Sequence, residues 1–144
     1  MKPSARRHAR QYAVQAMYNW QLSAAPIREI EVEFLVHHIK EKTDIEYFKE
    51  LIHAIPDLHE ELDNHIAPFS KRPIIELDPV ELAILRLATY ELAHRLDIPY
   101  RVVINEALEL AKKFGSIEGY KFVNGVLDQV ARTIRREEKK ADKK

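Results

Sequence analysis

The sequence predicts an all-α protein in which two small helical bundles pack as one compact domain. Apolar residues recur every three or four positions along most of the chain, and no convincing segment alternates as a half-buried strand would. Only three glycines and seven prolines occur, and most of them stand where helices should begin or end. A length of 144 residues corresponds to about one domain.

The N-terminal bundle is predicted to span residues 1 to about 73, and its first helix should run from Ser4 to Leu22. Ala13, Met17 and Trp20 form an apolar stripe with helical spacing on this helix. Pro26 suits the first turn of a second helix, because that position needs no backbone donor. These features predict two helices before residue 40.

A third helix should follow, because Thr43 with Glu46 three residues later has the pattern of a capping box. Pro56 should end or kink this helix, since proline disfavours helix at the residue before it. Pro68 and Pro73 then bracket a basic connection. We expect the boundary between the two bundles there, at about residues 73 and 74.

The C-terminal bundle, about 74–136, should begin with a strongly signalled helix. Asp78, Pro79 and Glu81 supply a cap, a first-turn proline and the acid of a capping box. The helix from Val80 to about Arg95 is apolar on more than one face. It should therefore be central and largely buried.

Two further helices complete this bundle. One should run from Arg101 to Phe114 and end at Gly115 in the left-handed conformation that glycine tolerates. Ser116 can cap the last helix, which should end near Arg136. Residues 137–144 are charged and lack large apolar side chains, so we expect a disordered tail.

Composition argues against several classes of function. Cysteine is absent, which excludes disulfides and thiol catalysis, and no apolar run approaches the length of a membrane span. The seven histidines include no pair four residues apart, the three glycines are scattered, and the four serines lie in no nucleophile motif. We expect a cytoplasmic protein with no metal, no cofactor and no enzymatic activity; a histidine-metal hydrolase is the weakest alternative.

The first turns of the chain are the most informative region for function. The first 28 residues carry five basic residues and no acidic one, whereas residues 29–64 carry eleven acidic residues and three lysines. Arg6 and Arg10 continue the Ala13 stripe, so we expect them to extend beyond the core without acidic neighbours. Guanidinium groups bind phosphate in a bidentate manner and stack on bases. The pattern is compatible with an RNA site, but charge alone favours the alternative of a solvated, frayed helix start, because short basic termini are common.

A second candidate cluster surrounds the turn after Phe114. Phe114 and Phe122 flank this turn, and aromatic rings among lysines can stack unpaired bases. Spacing alone favours the alternative that both rings are core residues at helix ends. The lysines of this cluster are Lys112, Lys113 and Lys121.

Asn105 and Asn124 lie within apolar helices, so we predict that they are buried and hydrogen-bonded.

Three blocks of the sequence resemble the NusB family of transcription antitermination factors. They are Arg6-Arg7-His8-Ala9-Arg10 with Ala13, Gln15 and Tyr18; Asp78-Pro79-Val80-Glu81 through Tyr90-Glu91-Leu92; and Val103-Ile104-Asn105-Glu106-Ala107 through Phe122-Val123-Asn124-Gly125-Val126-Leu127. The blocks are long, ordered and correctly spaced, and together they reach from about residue 4 to 132. Residues 23–67 match weakly, and no function is transferred to them.

The resemblance implies a fold of two small bundles and a scaffolding function. Family members bind the boxA element of nascent RNA, notably in ribosomal RNA leaders. They do so together with NusE, a small-subunit ribosomal protein, and the pair joins other Nus factors on RNA polymerase. A helical protein–protein interaction module that does not itself bind RNA remains the alternative. No association with membranes is implied.

The resemblance also implies roles for individual residues, carried over by position. The RNA-binding positions are Lys2, Arg6, Arg7, Arg10, Arg86, Phe114, Lys121 and Phe122. The positions that would meet NusE are Tyr18, Glu81 and Glu118. Ile75 stands in a region where relatives can carry an acidic residue, so one partner contact is not carried over to this chain.

Overall fold

The computed structural model describes residues 2–142, and all regular structure in this part of the chain is helical. The all-α prediction is therefore confirmed. The chain divides between Leu58 and His59 into two compact units, named here the N-terminal unit and the C-terminal unit. None of the helices in the described range has both the length and the apolarity needed to cross a bilayer.

The N-terminal unit is built on the packing of its first and third helices. Its elements are α1 (Pro3–Ser23), α2 (Ile27–Glu33) with a continuing π-helical turn (Phe34–His38), and α3 (Ile45–Asp57). α1 and α3 pack along each other. The predicted stripe residues Ala13 and Met17 are fully buried, as are Phe48 and Ile52 of α3. Removal of these side chains from water stabilises the unit.

The start of α3 differs from the predicted capping box by one residue. Asp44 is the N-cap, and its Oδ1 accepts the Tyr47 backbone N–H at 3.1 Å. The Asp44 backbone N–H donates to the Ala5 carbonyl at 3.0 Å, which ties this cap to the start of α1. The Thr43 hydroxyl instead donates to the Glu41 carbonyl. α3 ends one residue after Pro56, as predicted, although Ile55 before the proline is still helical.

The C-terminal unit surrounds one buried helix. Its α-helices are α4 (His59–Ile66), α5 (Pro79–His94), α6 (Tyr100–Phe114), α7 (Ile117–Ile134) and α8 (Arg136–Asp142), with short 3₁₀ turns at Ala67–Phe69 and Ile74–Glu76. Every residue of α5 from Leu82 to Leu92 is buried. α5 packs against α4, α6 and α7, which confirms that it is central.

The division between the units lies earlier than the predicted boundary near residue 73. α4 packs against α5 and α7, and its residues Leu62 and Ile66 are fully buried. The basic connection that follows α4 is therefore a loop inside the C-terminal unit. Pro68 and Pro73 therefore predicted a turn correctly, but this turn is not the boundary between the two units.

The turn between α6 and α7 contains one confirmed and one wrong prediction. Ser116 is the N-cap of α7, and its hydroxyl accepts the Gly119 backbone N–H at 3.0 Å, as predicted. Gly115 has φ −118° and ψ −168°, which is extended rather than left-handed backbone. A Cβ at this position would lie 3.0 Å from the Ala111 carbonyl oxygen, so close approach is the reason that glycine suits this turn.

The charged C-terminal segment is helical as far as it is described. The expectation of disorder is therefore wrong for residues 137–142. Residues 143 and 144 lie outside the described range. A carboxylate oxygen of Glu138 accepts the backbone N–H of Tyr100, the first residue of α6, at 2.9 Å. The residue before α6 is Pro99, whose side chain carries no polar atom. Glu138 therefore caps α6 from α8, while Lys139 bonds to Asp128 of α7 at 3.1 Å.

A buried guanidinium group caps the C-terminal end of α5. Arg135, only 5% exposed, donates from Nε to the Leu92 carbonyl at 2.8 Å. Its Nη2 donates to the carbonyls of Glu91 and Arg95 at 3.2 and 3.1 Å. The carbonyls at the end of a helix have no partner within the helix. Arg135 thus serves as the cap of α5 from the end of α7.

Candidate nucleic-acid interface

The basic cluster at the start of α1 is tied to the start of α3. Arg6 Nε lies 3.7 Å from Asp44 Oδ2, and the Arg6 guanidinium carbon lies 4.3 Å from the centroid of the Tyr47 ring. The Arg10 guanidinium carbon lies 5.6 Å from the same centroid. The expectation that the cluster has no acidic neighbour is therefore wrong for Arg6. The acid comes from a residue distant in sequence, which a count over the first 28 residues does not reveal.

The members of this cluster differ in their access to solvent. Lys2 and Arg7 are exposed, and the Arg6 side chain keeps 33% of its surface accessible. Arg10 is only 4% exposed, so the expectation that it extends beyond the core is wrong. Its guanidinium is held against Tyr47 inside the unit. The surface that an incoming phosphate can reach is formed by Lys2, Arg6 and Arg7.

Arg86 is also held inside the fold, in the C-terminal unit. Its Nε and Nη2 donate to Oδ1 and Oδ2 of Asp63 at 2.9 and 2.8 Å, and the residue is 7% exposed. This fork joins α5 to α4. Parallel bonds of this kind are strong and fix the orientation of the guanidinium plane. The geometry gives Arg86 a supporting role rather than an exposed contact surface.

The two aromatic rings of the second cluster are both half-buried. The Arg72 guanidinium carbon lies 5.7 Å from the centroid of the Phe122 ring, and Lys113 Nζ lies 6.0 Å from that of Phe114. Lys121 is exposed. The rings thus have neither the full burial of core residues nor the full exposure of stacking platforms.

Arg72 was not among the predicted site residues. The sequence did place it in a basic connection between two prolines, but that connection indicated only a boundary. The structure brings Arg72 to Phe122, 50 positions later in the chain. A guanidinium group at this distance from an aromatic face is attracted by the ring quadrupole, so Phe122 holds a basic side chain beside it.

The residues predicted to meet a protein partner occupy different positions in the fold. In the N-terminal unit Tyr18 is 39% exposed, on α1. In the C-terminal unit Glu118 is exposed in the first turn of α7, and Glu81 is half-buried on α5. A Cβ built at Gly119 would lie 2.8 Å from Glu81 Oε2. The Glu81 carboxylate is therefore packed directly against the start of α7.

The environment of Glu81 disfavours its charged form. Burial raises the pKa of this carboxyl group above its ordinary value, and the negative charge of Asp78 raises it further, whereas Arg72 acts in the opposite direction. Asp78 Oδ1 accepts the backbone N–H groups of Val80 and Glu81 at 2.9 and 3.1 Å, which completes the predicted cap. The α5 start is thus capped by Asp78, and the Glu81 side chain faces α7.

Asn105 and Asn124 are exposed, so the prediction that they are buried is wrong. Both line an open cavity of about 370 Å³ with Asp128 and Lys139. They lie on the polar sides of α6 and α7, away from the apolar stripes that pack against α5. Within residues 2–142, no group of three His, Asp or Glu side chains is arranged to hold a metal ion.

Comparison with known proteins shows to which family the chain is similar. The model of the NusB family matches residues 7–132. Transcription antitermination protein NusB of Idiomarina loihiensis is 54% identical over 135 residues, which cover 94% of this chain and 97% of that protein. The protein of the same name from Pseudoalteromonas atlantica is 55% identical over 138 residues, covering 96% of this chain and 99% of that protein.

Solved structures agree with the sequence comparisons. The structure of T. maritima NusB superposes with a TM-score of 0.75 at 30% identity, covering 93% of this chain and 96% of that one. A crystal structure of the antitermination factors NusB and NusE in complex with dsRNA gives a TM-score of 0.81 at 29% identity, covering 92% of this chain and 99% of the matched chain. On the evidence of the family match, the relatives and the shared fold, the chain belongs to the NusB family.

Proposed function

We propose that this chain is a cytoplasmic transcription antitermination factor that binds boxA-type single-stranded RNA of nascent transcripts together with NusE. In this role it joins other Nus factors on RNA polymerase as a scaffold and catalyses no reaction. The observation that carries the proposal is the accessible basic surface of Lys2, Arg6 and Arg7 at the start of α1. The names of its relatives, and the RNA and NusE bound in one solved relative, support it.

The arrangement of Arg6 favours phosphate binding. Its guanidinium already stacks on Tyr47, which limits its freedom before RNA arrives. Less conformational entropy is lost on binding when a long side chain is already oriented. Arginine presents a fork of donors that fits phosphate oxygens, so Arg6 and Arg7 would each hold a backbone phosphate.

Arg10 and Arg86 have a different part in this proposal. Arg10 is buried beside the Tyr47 ring on which Arg6 stacks, and Arg86 fixes α5 to α4 through Asp63. Both residues would support the RNA surface from inside the protein. In the C-terminal unit, Lys121 would bind phosphate, while Phe122 and Phe114 would offer their accessible ring surfaces to unpaired bases.

NusE would engage Tyr18 in the N-terminal unit and Glu81 and Glu118 in the C-terminal unit. An exposed tyrosine supplies a large contact area at small entropic cost, and carboxylates suit a basic ribosomal protein. When protein and RNA contacts are made in one assembly, the second contact forms at high effective concentration. Joint binding would therefore exceed the affinity of either contact alone.

The proposal is tested by titrating labelled boxA-type RNA with the chain, with NusE and with their mixture. We expect the mixture to bind more tightly than either protein alone. Three phosphate contacts predict that the logarithm of affinity falls with the logarithm of salt concentration with a slope of about −2 on single strands. A double-stranded RNA of the same sequence, included because one solved relative holds dsRNA, should bind more weakly.

Arg7→Ala provides the residue-level test, and Arg28→Ala is its matched control. Both arginines are exposed on helices of the N-terminal unit. Arg7→Ala should make the salt slope shallower by roughly 0.7 and weaken binding about fivefold, whereas Arg28→Ala should leave both unchanged. If the mixture binds RNA no better than NusE alone, the chain is a protein-only interaction module and the proposal is wrong.

A further inference from the structure

The turn between α6 and α7 borders an open cavity, and of its lining residues the proposed function uses only Lys121. It has a volume of about 450 Å³, within the range of small-ligand pockets. All of its lining lies within the C-terminal unit. The lining residues are Lys112, Gly115, Ser116, Ile117, Tyr120 and Lys121.

The walls of this cavity are mainly apolar although it opens to solvent. Ile117, in the first turn of α7, is 76% exposed, which is unusual for a large aliphatic side chain. Tyr120 is half-buried and offers part of its ring. The cavity thus presents an aromatic wall and an aliphatic edge with few fixed hydrogen-bonding groups, which suits a flat ring better than a peptide backbone.

The rim of the cavity is basic. Lys112 and Lys121 are exposed, and Lys112 Nζ lies 5.8 Å from the centroid of the Tyr120 ring. The acidic groups at the same turn are Glu109, whose Oε1 lies 3.5 Å from Lys112 Nζ, and Glu118. The Glu109 pair is well exposed on both sides and therefore weak, so Lys112 can exchange it for a phosphate.

We propose that this cavity receives one unpaired nucleobase of the RNA, stacked on Tyr120 with its edge against Ile117. Lys112 and Lys121 would hold the phosphates on either side of that nucleotide. This inference rests on the proposed RNA-binding function and adds a base subsite to it. Lys121 belongs both to the cavity wall and to the part of the proposed RNA surface that lies in the C-terminal unit.

The first test removes the aromatic wall and the base separately. Tyr120→Phe keeps the ring and should bind RNA like the wild type, whereas Tyr120→Ala should weaken binding roughly fivefold or more without changing the salt slope. Abasic substitutions are introduced at each RNA position in turn. Among the positions that weaken wild-type binding, one should have almost no further effect on Tyr120→Ala.

The second test does not alter a packed residue. Ile117→Asp adds a negative charge at the mouth of the cavity, and an acid in the first turn of a helix does not destabilise it. It should weaken RNA binding severalfold. The matched control is Val102→Asp, which makes the same change at an exposed apolar residue in the first turn of α6. That variant should bind RNA like the wild type.

The outcomes separate the inference from the function on which it rests. If the wild type binds RNA but no abasic position is coupled to Tyr120, the base subsite is wrong and the RNA-binding function stands. If Ile117→Asp and Tyr120→Ala weaken NusE binding in the absence of RNA, the cavity is a protein-docking site and the inference is also wrong. If the wild type with NusE shows no gain in RNA affinity, both proposals fail.

Discussion

Arg86 and Asp63 form a two-bonded ion pair in the interior of the C-terminal unit, with donor–acceptor distances of 2.9 and 2.8 Å. The Arg86 side chain is 8% exposed, and that of Asp63 is 19% exposed. A pair of this kind is expensive to break, because the remaining charge stays in a region with little water.

Asp63→Ala should therefore lower the free energy of unfolding by about 3 kcal/mol. Asp97→Ala is the matched control, since Arg95 binds both oxygens of Asp97 at 3.0 and 2.9 Å but Asp97 is 60% exposed. That variant should cost about 1 kcal/mol or less. Urea unfolding of the two variants checks the difference, and equal losses would show that burial does not determine the value of the pair.

Asp44 has two roles that one substitution separates. Asparagine is as good an N-cap as aspartate, so Asp44→Asn should preserve α3 and change stability little. It removes the negative charge 3.7 Å from Arg6 Nε, which should raise RNA affinity at low salt up to about fivefold. Weaker RNA binding by Asp44→Asn would mean that the carboxylate orients Arg6 rather than merely competing with phosphate.

Asp44→Ala serves as the comparison for this prediction. It removes the charge and the cap together, and should cost about 1 kcal/mol of stability in addition. RNA affinity should rise in both variants if charge alone decides it. Measuring the unfolding free energy of each variant beside its RNA affinity distinguishes the two roles.

The raised pKa of Glu81 makes the stability of the folded protein depend on pH, and its direction fixes the sign of that dependence. The folded protein holds the Glu81 proton more tightly than the unfolded chain does, because burial and Asp78 disfavour the carboxylate. Stability from this group is therefore present at low pH and is lost as pH rises from the ordinary glutamate range through the raised pKa. Glu81→Gln should be at least as stable as the wild type at neutral pH, and its advantage should shrink as the pH falls through the raised pKa towards the ordinary glutamate range, below which it should be absent.

The same variant tests the partner role of Glu81. If NusE binds its carboxylate, Glu81→Gln should weaken NusE binding while the fold becomes no less stable. Such a trade-off is typical of residues retained for function. A variant with unchanged NusE affinity would remove Glu81 from the proposed interface, whatever its stability.

Two glycines of α7 offer a matched pair for the contact between Glu81 and α7. A Cβ at Gly125 would have no heavy atom of the described chain within 4 Å outside its own helix and its neighbours. Gly125→Ala should therefore stabilise the protein by about 0.5–1 kcal/mol through helix propensity. Gly119→Ala places a Cβ 2.8 Å from Glu81 Oε2, so the carboxylate must move and much of the gain should vanish. Urea unfolding measures both, and equal gains would contradict the contact.

The sequence predicted the helices well because their signals are local. Periodicity identified the buried face of α1, and the Asp78-Pro79 start located α5 to within one residue. The cap of α3 was misplaced by one residue, because Thr43 and Asp44 both have capping side chains and the sequence does not show that the Asp44 backbone N–H bonds to the Ala5 carbonyl of α1. Local patterns thus predict that a helix exists better than they predict which donor caps it.

The candidate site depended more on contacts between distant residues. The burial of Arg10 and the ion pairs of Arg6 and Arg86 require residues 23 to 38 positions away, which no local count of charge can supply. The exposed Asn105 and Asn124 show the opposite error, because their helices are apolar on one side only. The charged C-terminal segment was predicted to be disordered because its partners, Tyr100 and Asp128, lie in other helices.

Arg135, which follows α7, holds the C-terminal end of α5, the helix that is buried from Leu82 to Leu92. Three carbonyl groups at the end of α5 accept hydrogen bonds from this one side chain. Its Nη1 also donates to Oε1 of Glu138, in α8, at 2.6 Å. A cut in the chain before Arg135 would remove one donor from each of these carbonyls, far from the cut in sequence. The Glu91 and Arg95 carbonyls would keep the backbone N–H groups of Arg95 and Ile98 as donors. Lysine could not take the place of Arg135, because an ammonium group lacks the planar reach to serve all of these acceptors at once.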